Sequence, residues 1–260
     1  IKTEDLEIGN LIAIPKLEVS DQTINRIDLL SYSLKYKNQI NEYNIFLNNI
    51  KNKTLNIKEF CYSNNLNYKK IIRWNTNKDQ YPKVYKLKNT FEINEETSWL
   101  LGLFLAKGWV DNTKHRKTIT ITLGDEPNLI NKSINIIKKY LKINPNFRYM
   151  KTQKGCQITF THQLLSEMIS KDFYINEKHY SHTKKIPYWI NDIGKENIVS
   201  FLKGYFDGDG CFFEDEKKSC FCTMSSVSEV LIDELKILFM KLGVLPNKTT
   251  HHNNGRTKIC

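Results

Sequence analysis

The spacing of apolar residues divides the chain into two kinds of region. From residue 23 to residue 75 apolar side chains recur three and four positions apart, which predicts short helices. Within this region "NIKEFCYSNNLNYKKIIRW" has the order helix, polar turn and basic helix. That order is typical of a helix-turn-helix, although any small helical hairpin produces it. The opening "TEDLEIGNLIAIPKLEV" instead predicts short strands.

Beyond residue 94, helical and alternating patterns follow one another regularly. Asn94 or Thr97 can cap a helix over residues 97–107, which has glutamates at its start and Gly108 at its end. The run after Gly108, "KTITITLGD", "EPNLINKSINIIKKYLKI", "NFRYMKTQKGCQITFTH" and "QLLSEMISKDF" then predict two strands, a helix, two strands and a helix. The predicted order is therefore αββαββα.

The same order begins again about a hundred residues later. "KKIPYWINDIGKENIVSFLKGYFDGDGCF" predicts a helix to Gly208, and strands, a helix and further strands follow up to Cys260. Two similar halves in one chain predict a pseudo-twofold molecule. The second copy is one helix short, so we expect either that the natural protein continues past Cys260 or that a part of it is disordered.

Each repeated helix carries small residues four positions apart. Gly102 and Ala106 in the first helix, and Gly204 and Gly208 in the second, therefore lie on one face. A glycine inside a helix costs about 1 kcal/mol relative to alanine, so its presence calls for a packing reason. We predict that the two helix backbones contact each other along this face. The alternative is a generic buried helix with incidental glycines.

Two aspartates end the second repeated helix. Asp207 and Asp209 lie at the negative end of the helix dipole, where an acid is disfavoured by about 0.3–1 kcal/mol. This placement predicts a neighbouring cation, such as a divalent metal held by carboxylate and carbonyl oxygens, unless the residues only form a D-G-D-G turn. The first copy has Lys107 where the second has Asp209.

Composition limits the possible partners and compartments. Lysine and arginine outnumber aspartate and glutamate by 39 to 28, and this net charge of +11 favours a polyanionic partner. The sequence has no apolar run near the ~18 residues of a membrane span and no signal-peptide pattern at its start. We therefore expect an intracellular protein, cytoplasmic or nuclear, without a membrane partner. The six cysteines lack zinc-site spacing.

The two motif copies, "LLGLFLAKG" at 100–108 and "LKGYFDGDG" at 202–210, resemble the LAGLIDADG homing endonucleases of the single-chain type. The resemblance covers about residues 94–260 and implies an α+β fold. In this fold two pseudo-symmetric αββαββα halves, at 94–180 and 181–260, pack through two central helices. A helical segment at 23–93 precedes them. The opening, residues 1–22, resembles a piece of an intein splicing domain, but the chain lacks a nucleophilic start and a terminal His-Asn, so we expect no self-splicing.

The resemblance implies a monomer that binds a long, nearly asymmetric double-stranded DNA site and cleaves it with Mg²⁺, for which Mn²⁺ can substitute. By position, the catalytic acids should be residues 107 and 209, and Lys107 replaces the first of them. The implied metal ligands are Asp209 and the carbonyls of Gly208 and Ala106. Basic residues near the scissile phosphates are expected on the hairpins, with Lys154 and Lys258 as candidates.

Donor side chains on the predicted strands are expected to contact bases and phosphates. In the first half these are Lys114, Arg116, Lys117, Thr118, Thr120, Arg148 and Lys151. In the second half they are Lys217, Lys218, Thr223, Ser225, Lys248 and Arg256.

Lys107 leaves three interpretations of activity open. One or both strand cleavages are lost, or the protein is a nickase that uses Asp209 alone, or Asp111 or Glu96 substitutes for the missing acid. A protonated lysine cannot bind a metal, but it can form an ion pair with Asp209 in the place of the metal. The alternative functions are a cleavage-silent DNA- or RNA-binding protein, as a maturase or regulator, and a pseudo-symmetric interaction protein.

Overall fold

The computed structural model describes residues 23–50, 56–76, 82–150, 155–214, 220–251 and 256–259. The strands predicted within residues 1–22 lie outside these ranges. The helices in the described ranges are α1 (Leu34–Ile50), α2 (Ile57–Ser63), α3 (Tyr68–Thr76), α4 (Glu95–Lys107), α5 (Pro127–Ile136), α6 (Gln163–Asp172), α7 (Lys195–Asp209) and α8 (Glu229–Lys241). The strands are β1 (Arg26–Asp28), β2 (Thr90–Glu92), β3 (Gly108–Asn112), β4 (Lys117–Leu123), β5 (Asn146–Tyr149), β6 (Cys156–Thr161), β7 (Gly210–Glu214), β8 (Cys220–Ser226), β9 (Lys248–His251) and β10 (Arg256–Ile259).

The two halves of the chain form sheets with the same strand order. In the described residues the first antiparallel sheet runs β3-β4-β6-β5 and the second runs β7-β8-β10-β9. In each half the leading helix continues directly into the first strand of its sheet. The predicted α+β fold of two pseudo-symmetric halves around two central helices is therefore confirmed.

Helix α4 begins at a capping box. The Asn94 side chain accepts a hydrogen bond from the Thr97 amide at 3.1 Å, and the Thr97 hydroxyl accepts one from the Asn94 amide at 3.0 Å. These bonds satisfy two of the amides that a helix start leaves unpaired. The first turn also contains Glu95 and Glu96, whose charges favour the positive end of the helix dipole.

Helix α4 ends at a glycine for a steric reason. Gly108 has φ −97° and ψ 161°, so it is extended and not in the left-handed conformation common at helix ends. A Cβ atom at this position would lie 2.1 Å from the Phe104 ring. Gly210, at the end of α7, has the same relation to Phe206, with a distance of 2.2 Å. Each glycine lets the chain turn from helix to strand beneath an aromatic ring.

The described residues contain two hydrophobic clusters. The larger one is continuous through both halves and includes the inner sides of the sheets and the helices packed on them. The smaller one lies among α1, α2 and α3 and consists of Tyr43, Phe46, Phe60, Cys61, Ile71 and Trp74. Helices α1 to α3 thus share a small core of their own, whereas Leu29, Val84 and Phe91 of the same segment belong to the larger cluster. In the described part of the chain no helix combines the length and apolar character needed to cross a membrane.

Candidate functional site at the ends of the central helices

The two central helices touch through their backbones. A Cβ atom built on Gly102 would lie 1.9 Å from the Phe201 carbonyl oxygen, and one on Gly204 would lie 1.9 Å from the Trp99 carbonyl oxygen. The contact is reciprocal, as expected for a pseudo-twofold axis between the helices. Further along the same face, a Cβ atom on Gly208 would lie 2.5 Å from that of Ala106. The four small residues predicted for the interface thus line this contact.

The close contact brings the C-terminal ends of α4 and α7 together. Lys107 Nζ lies 2.7 Å from Asp209 Oδ1, and these side chains are 38% and 31% exposed. The ion pair that the sequence suggested is therefore present. It lies where each helix presents carbonyl oxygens without intrahelical partners.

A second lysine reaches the same helix end from the segment before α7. Lys184 Nζ donates hydrogen bonds to the carbonyls of Leu105 at 2.7 Å and Ala106 at 3.4 Å. Its side chain is buried, and burial lowers its pKa to about 8; Asp209 opposes this shift and Lys107 adds to it. Lys184 was not among the residues predicted for the site, because a lysine within "KKIPYWI" shows no sign of burial.

These groups surround a cleft of about 350 Å³. The cleft is lined by Leu105, Ala106, Lys107, Ser181, Lys184, Tyr205, Asp209, Ser225, Ser226 and Val227. Tyr205 donates a hydrogen bond to the Ser225 carbonyl at 3.1 Å, and burial raises the pKa of its hydroxyl, with Asp209 adding to the rise. Two ammonium groups and one carboxylate give the cleft a net positive charge at neutral pH.

The donor set does not fit a divalent cation in this arrangement. The implied ligands were the Asp209 carboxylate and the carbonyls of Gly208 and Ala106. Asp209 is paired with Lys107, and the Ala106 carbonyl accepts a hydrogen bond from Lys184. Two positive charges at this range would repel a divalent ion. Within the described ranges, three or more histidine, cysteine, aspartate or glutamate side chains nowhere form a group that could hold a metal.

Asp207 has partners that account for its position without a metal. Its carboxylate accepts a hydrogen bond at 2.7 Å from the indole nitrogen of Trp99 on the other central helix. Lys132 lies over the Trp99 ring, with its ammonium 3.7 Å from the ring centroid. Burial lowers the pKa of Lys132, while the charge of Asp207 acts to raise it. Asp207 therefore ties α7 to α4, and Lys132 of α5 packs on the same tryptophan.

The two acids considered as substitutes for residue 107 are placed differently. Glu96 binds Lys139 at 2.5 Å and the Tyr140 hydroxyl at 2.6 Å. It lies eleven residues before Lys107, which corresponds to about 16 Å along an α-helix. Asp111 is on β3 and lies 3.7 Å from Arg116. Neither acid lines the cleft.

The alternation of side chains along the strands shows on which face of the first sheet each predicted DNA-contacting residue lies. Trp109, Thr120, Thr159 and Asn146 are cross-strand partners on the outer face of the sheet, opposite the face that carries Ile119 and Ile121. Arg148 pairs with Gln157 on this outer face and donates two hydrogen bonds to its side chain. Lys114 and Arg116 are exposed in the β3–β4 hairpin, and Thr118 is half-buried.

Four of the predicted DNA contacts need correction. Lys117 and Lys248 lie on the helix-covered faces of their sheets. Lys117 is on the same side of β4 as the buried Ile119 and Ile121, and Lys248 is the cross-strand partner of the buried Ile259. Lys117 binds Glu167 of α6 at 2.6 Å, and Lys248 binds Glu229 and Asp233 of α8 at 3.0 and 2.6 Å. Thr120 is on the outer face but is only 1% exposed between Trp109 and Thr159, and Thr223 is buried as well.

The remaining predicted site residues are only partly described. Ser225 lines the cleft and is half-buried. Arg256 and Lys258 lie on β10, where the backbone register pairs Lys258 with Ser225. The other predicted residues, Lys151, Lys154, Lys217 and Lys218, lie outside the described ranges. Trp109, an aromatic residue that is 44% exposed on the outer face of the first sheet, was not predicted as a site residue. Its place in the predicted strand after Gly108 was the available signal.

The lowered pKa of Lys184 predicts a dependence of protein stability on pH. Its pKa in the folded protein, about 8, is below its ordinary value of 10.5, so the unfolded chain binds more protons between these values. The contribution of Lys184 to the free energy of unfolding should therefore rise with pH across this window, by up to about 3 kcal/mol for the full shift. Burial raises the pKa of the Cys61 and Cys156 thiols and of the Tyr205 hydroxyl, and these groups oppose the rise. Chemical unfolding at several values between pH 7 and pH 10 measures the net change, and comparison with a Lys184 variant isolates the contribution of this lysine.

The control for this measurement is the neighbouring lysine. Lys184→Met should reduce the rise, whereas Lys185→Met, the same change at a half-buried position, should leave it intact. An equal rise in Lys184→Met and the unchanged protein would show that other groups cause it.

Comparison with known proteins finds sequence similarity to a protein family and to segments of longer proteins. A family model described as a LAGLIDADG-like domain matches residues 196–259. The replication factor C small subunit of Methanocaldococcus jannaschii is 35% identical over 132 residues, which are 48% of this chain and 7% of that protein. Subunit Rpo1C of the DNA-directed RNA polymerase of the same organism is 28% identical over 182 residues, 69% of this chain and 20% of that protein. The chain thus spans a small part of the length of these relatives.

Similar solved structures include the homing endonuclease I-DmoI. A structure of its mesophilic variants is 16% identical, covers 64% of this chain and 87% of that chain, and has a TM-score of 0.46. I-DmoI in complex with DNA and Mn is 14% identical, with coverage of 65% and 89% and a TM-score of 0.44. Similarity at these values gives no information about the activity of this chain. The LAGLIDADG-like family model matches the part of the chain that carries most of α7 and the second sheet.

Proposed function

We propose that this protein is a sequence-specific double-stranded DNA-binding protein of the LAGLIDADG homing endonuclease type in which Lys107 prevents double-strand cleavage. The observation that carries the proposal is the Lys107–Asp209 ion pair at the joined ends of two backbone-packed helices. The pair lies where a cleaving protein of this type would have two acids. An ammonium group there neutralises one carboxylate and supplies no metal ligand.

The two sheets are the proposed DNA-binding surfaces. The outer face of the first sheet carries threonines, Asn146, Arg148 and the exposed Trp109, while its inner face is buried. Such a face offers donors for base edges and phosphates. The net charge of +11 favours a polyanion. The two halves present different residues at matching positions, such as Trp109 after Gly108 and Cys211 after Gly210. We therefore infer a long, nearly asymmetric site bound by one monomer.

Loss of cleavage is the interpretation of Lys107 that the contacts favour. A nickase would need Asp209 free for a metal ion, but Asp209 is paired with Lys107, and Lys184 occupies the nearby carbonyls. Full activity would need Glu96 or Asp111, and both acids have partners away from the cleft. The chemistry that a bound Mg²⁺ or Mn²⁺ would supply, activation of water and stabilisation of the phosphate, therefore has no ligand set here.

The relatives support an origin as an inserted segment. The replication factor C small subunit and the RNA polymerase subunit Rpo1C share sequence with this chain over only 7% and 20% of their lengths. A segment that recurs within unrelated proteins is expected of a mobile element such as an intein. We therefore propose that the chain is encoded within a host gene.

Selection of bound duplexes from a random-sequence library tests the proposed function. We expect one long preferred site, and an affinity that falls about 10³–10⁵-fold between 50 and 200 mM salt if six to ten phosphates are contacted. The double variant Arg116→Ala/Arg148→Ala should reduce the slope of log affinity against log salt by about two. Lys203→Ala, which changes an exposed lysine on α7 and in neither sheet, is the control. Absence of a preferred site together with an unchanged slope in the double variant would refute the proposal.

A further inference from the structure

Helices α2 and α3 form a tight hairpin with a four-residue turn. The turn spans residues 64–67, between Ser63 at the end of α2 and Tyr68 at the start of α3. Asn65 has φ +52°, the left-handed conformation that asparagine tolerates better than most residues. The Leu66 amide donates a hydrogen bond to the Cys61 carbonyl at 2.8 Å, which closes the turn. Two helices joined by such a turn have the construction of a helix-turn-helix.

One face of α3 is fixed in the small hydrophobic cluster. Ile71 is 1% exposed and Trp74 is 7% exposed. The Trp74 ring packs against Tyr43 and Phe46 of α1, with centroid distances of 5.0 and 5.6 Å. Helix α2 contributes Phe60 to the same cluster. Because aromatic residues from α1 hold one side of α3, the opposite side is presented to solvent in a defined orientation.

The solvent face of α3 is positively charged. The helix contains three cations and no acid, and Lys69, Arg73 and Thr76 are exposed at helical spacing. Lys70 is paired with Glu42 of α1 and lies over the Trp74 ring. Lys69 and Arg73 form no ion pair with any residue that the structure describes. Their charges are therefore available to a partner.

We propose that α3 is a recognition helix that binds the major groove of duplex DNA beside the segment contacted by the two sheets. An α-helix fits the major groove of B-DNA, and in a helix-turn-helix the second helix enters the groove while the first crosses the backbone. The deep, narrow major groove of duplex RNA does not admit a helix, so the geometry favours DNA. This surface lies outside the central cleft and adds a second binding site to the proposed function.

Hydroxyl-radical footprinting of the full chain on its selected duplex tests this inference. The double variant Lys69→Ala/Arg73→Ala should lose protection over about one helical turn at one flank of the site. The slope of log affinity against log salt should fall by about 1.8, and the affinity about tenfold. Alanine at exposed helical positions preserves helix formation, which circular dichroism verifies. Lys35→Ala/Lys37→Ala on α1, with the same loss of charge, is the matched control.

The possible results separate this inference from the proposed function. Loss of DNA protection at one flank, seen only in the α3 variant, supports the inference. An identical footprint and slope in the α3 variant and the unchanged protein overturn it, while protection by the sheets still supports the proposed function. If the α3 variant abolishes binding and Arg116→Ala/Arg148→Ala does not affect it, α3 is the DNA-binding surface and the proposed function is wrong. Loss of affinity for single-stranded RNA, with duplex DNA binding unchanged, would also overturn the inference.

Discussion

Replacing Lys107 with glutamate is expected to give the protein a divalent-metal site. The substitution removes the ammonium group 2.7 Å from Asp209 and places a second carboxylate at the joined helix ends. A change of two charge units about 5 Å from a divalent ion is worth about 3 kcal/mol even with water-like screening, or about a hundredfold in affinity. Calorimetric titration with Mn²⁺ or Ca²⁺ of the variant and the unchanged protein measures this difference without requiring activity.

Cleavage of supercoiled plasmid carrying the selected site gives the second measurement for this substitution. With Mg²⁺ or Mn²⁺ present, we expect Lys107→Glu to linearise the plasmid and the unchanged protein to leave it intact. Open circles from the unchanged protein would instead show that Asp209 supports nicking of one strand. Lys107→Met, which removes the charge without adding a ligand, should bind metal more weakly than the glutamate variant.

The control is the same charge reversal elsewhere on the central helices. Lys203 is exposed on α7 and is absent from the cleft, so Lys203→Glu should not create a metal site. If Lys107→Glu binds the target DNA but neither binds metal nor cuts, the joined helix ends are not a cleavage centre. The protein would then be a DNA-binding scaffold whose repeated helices serve only to pack its two halves.

Gly204→Ala is expected to cause a large loss of stability, because it adds a methyl group at the backbone contact between the central helices. The new Cβ atom would lie 1.9 Å from the Trp99 carbonyl oxygen, and backbone atoms cannot rotate away. Alanine otherwise favours a helix over glycine by about 1 kcal/mol, so a purely local effect would be stabilising. We expect a loss of about 3 kcal/mol or more and a melting temperature lower by about 10 °C.

Thermal unfolding followed by circular dichroism measures this effect. Gly102→Ala should behave similarly, because its Cβ atom would lie 1.9 Å from the Phe201 carbonyl oxygen. Gly124→Ala is the control, since its nearest contact is the flexible side chain of Glu126 at 3.3 Å. Unchanged or increased stability in the Gly204 and Gly102 variants would disprove the backbone contact between α4 and α7.

The sequence by itself determined the order of elements and the C-terminal end of the first central helix. Apolar spacing and turn residues act over a few neighbours, so the periodic patterns were sufficient to predict α4, its strands and their repetition. The start of α4 was predicted two residues late, at residue 97, because Asn94 and Thr97 were both candidate caps, and the helix begins at Glu95 after the Asn94 cap. The spacing of Gly102, Ala106, Gly204 and Gly208 also predicted which helix faces meet. The alternation of side chains along β4 also encodes the position of Lys117 on the inner face, with Ile119 and Ile121, although Lys117 was expected to contact DNA.

Only the tertiary structure decided which distant side chains meet at the helix ends. The burial of Lys184 against α4, the hydrogen bond from Trp99 to Asp207, and the covering of Thr120 by its cross-strand neighbours depend on how the elements pack. The partners in the first two contacts lie 79 and 108 residues apart. No local preference encodes such separations, because the three-dimensional packing of the whole chain sets these distances.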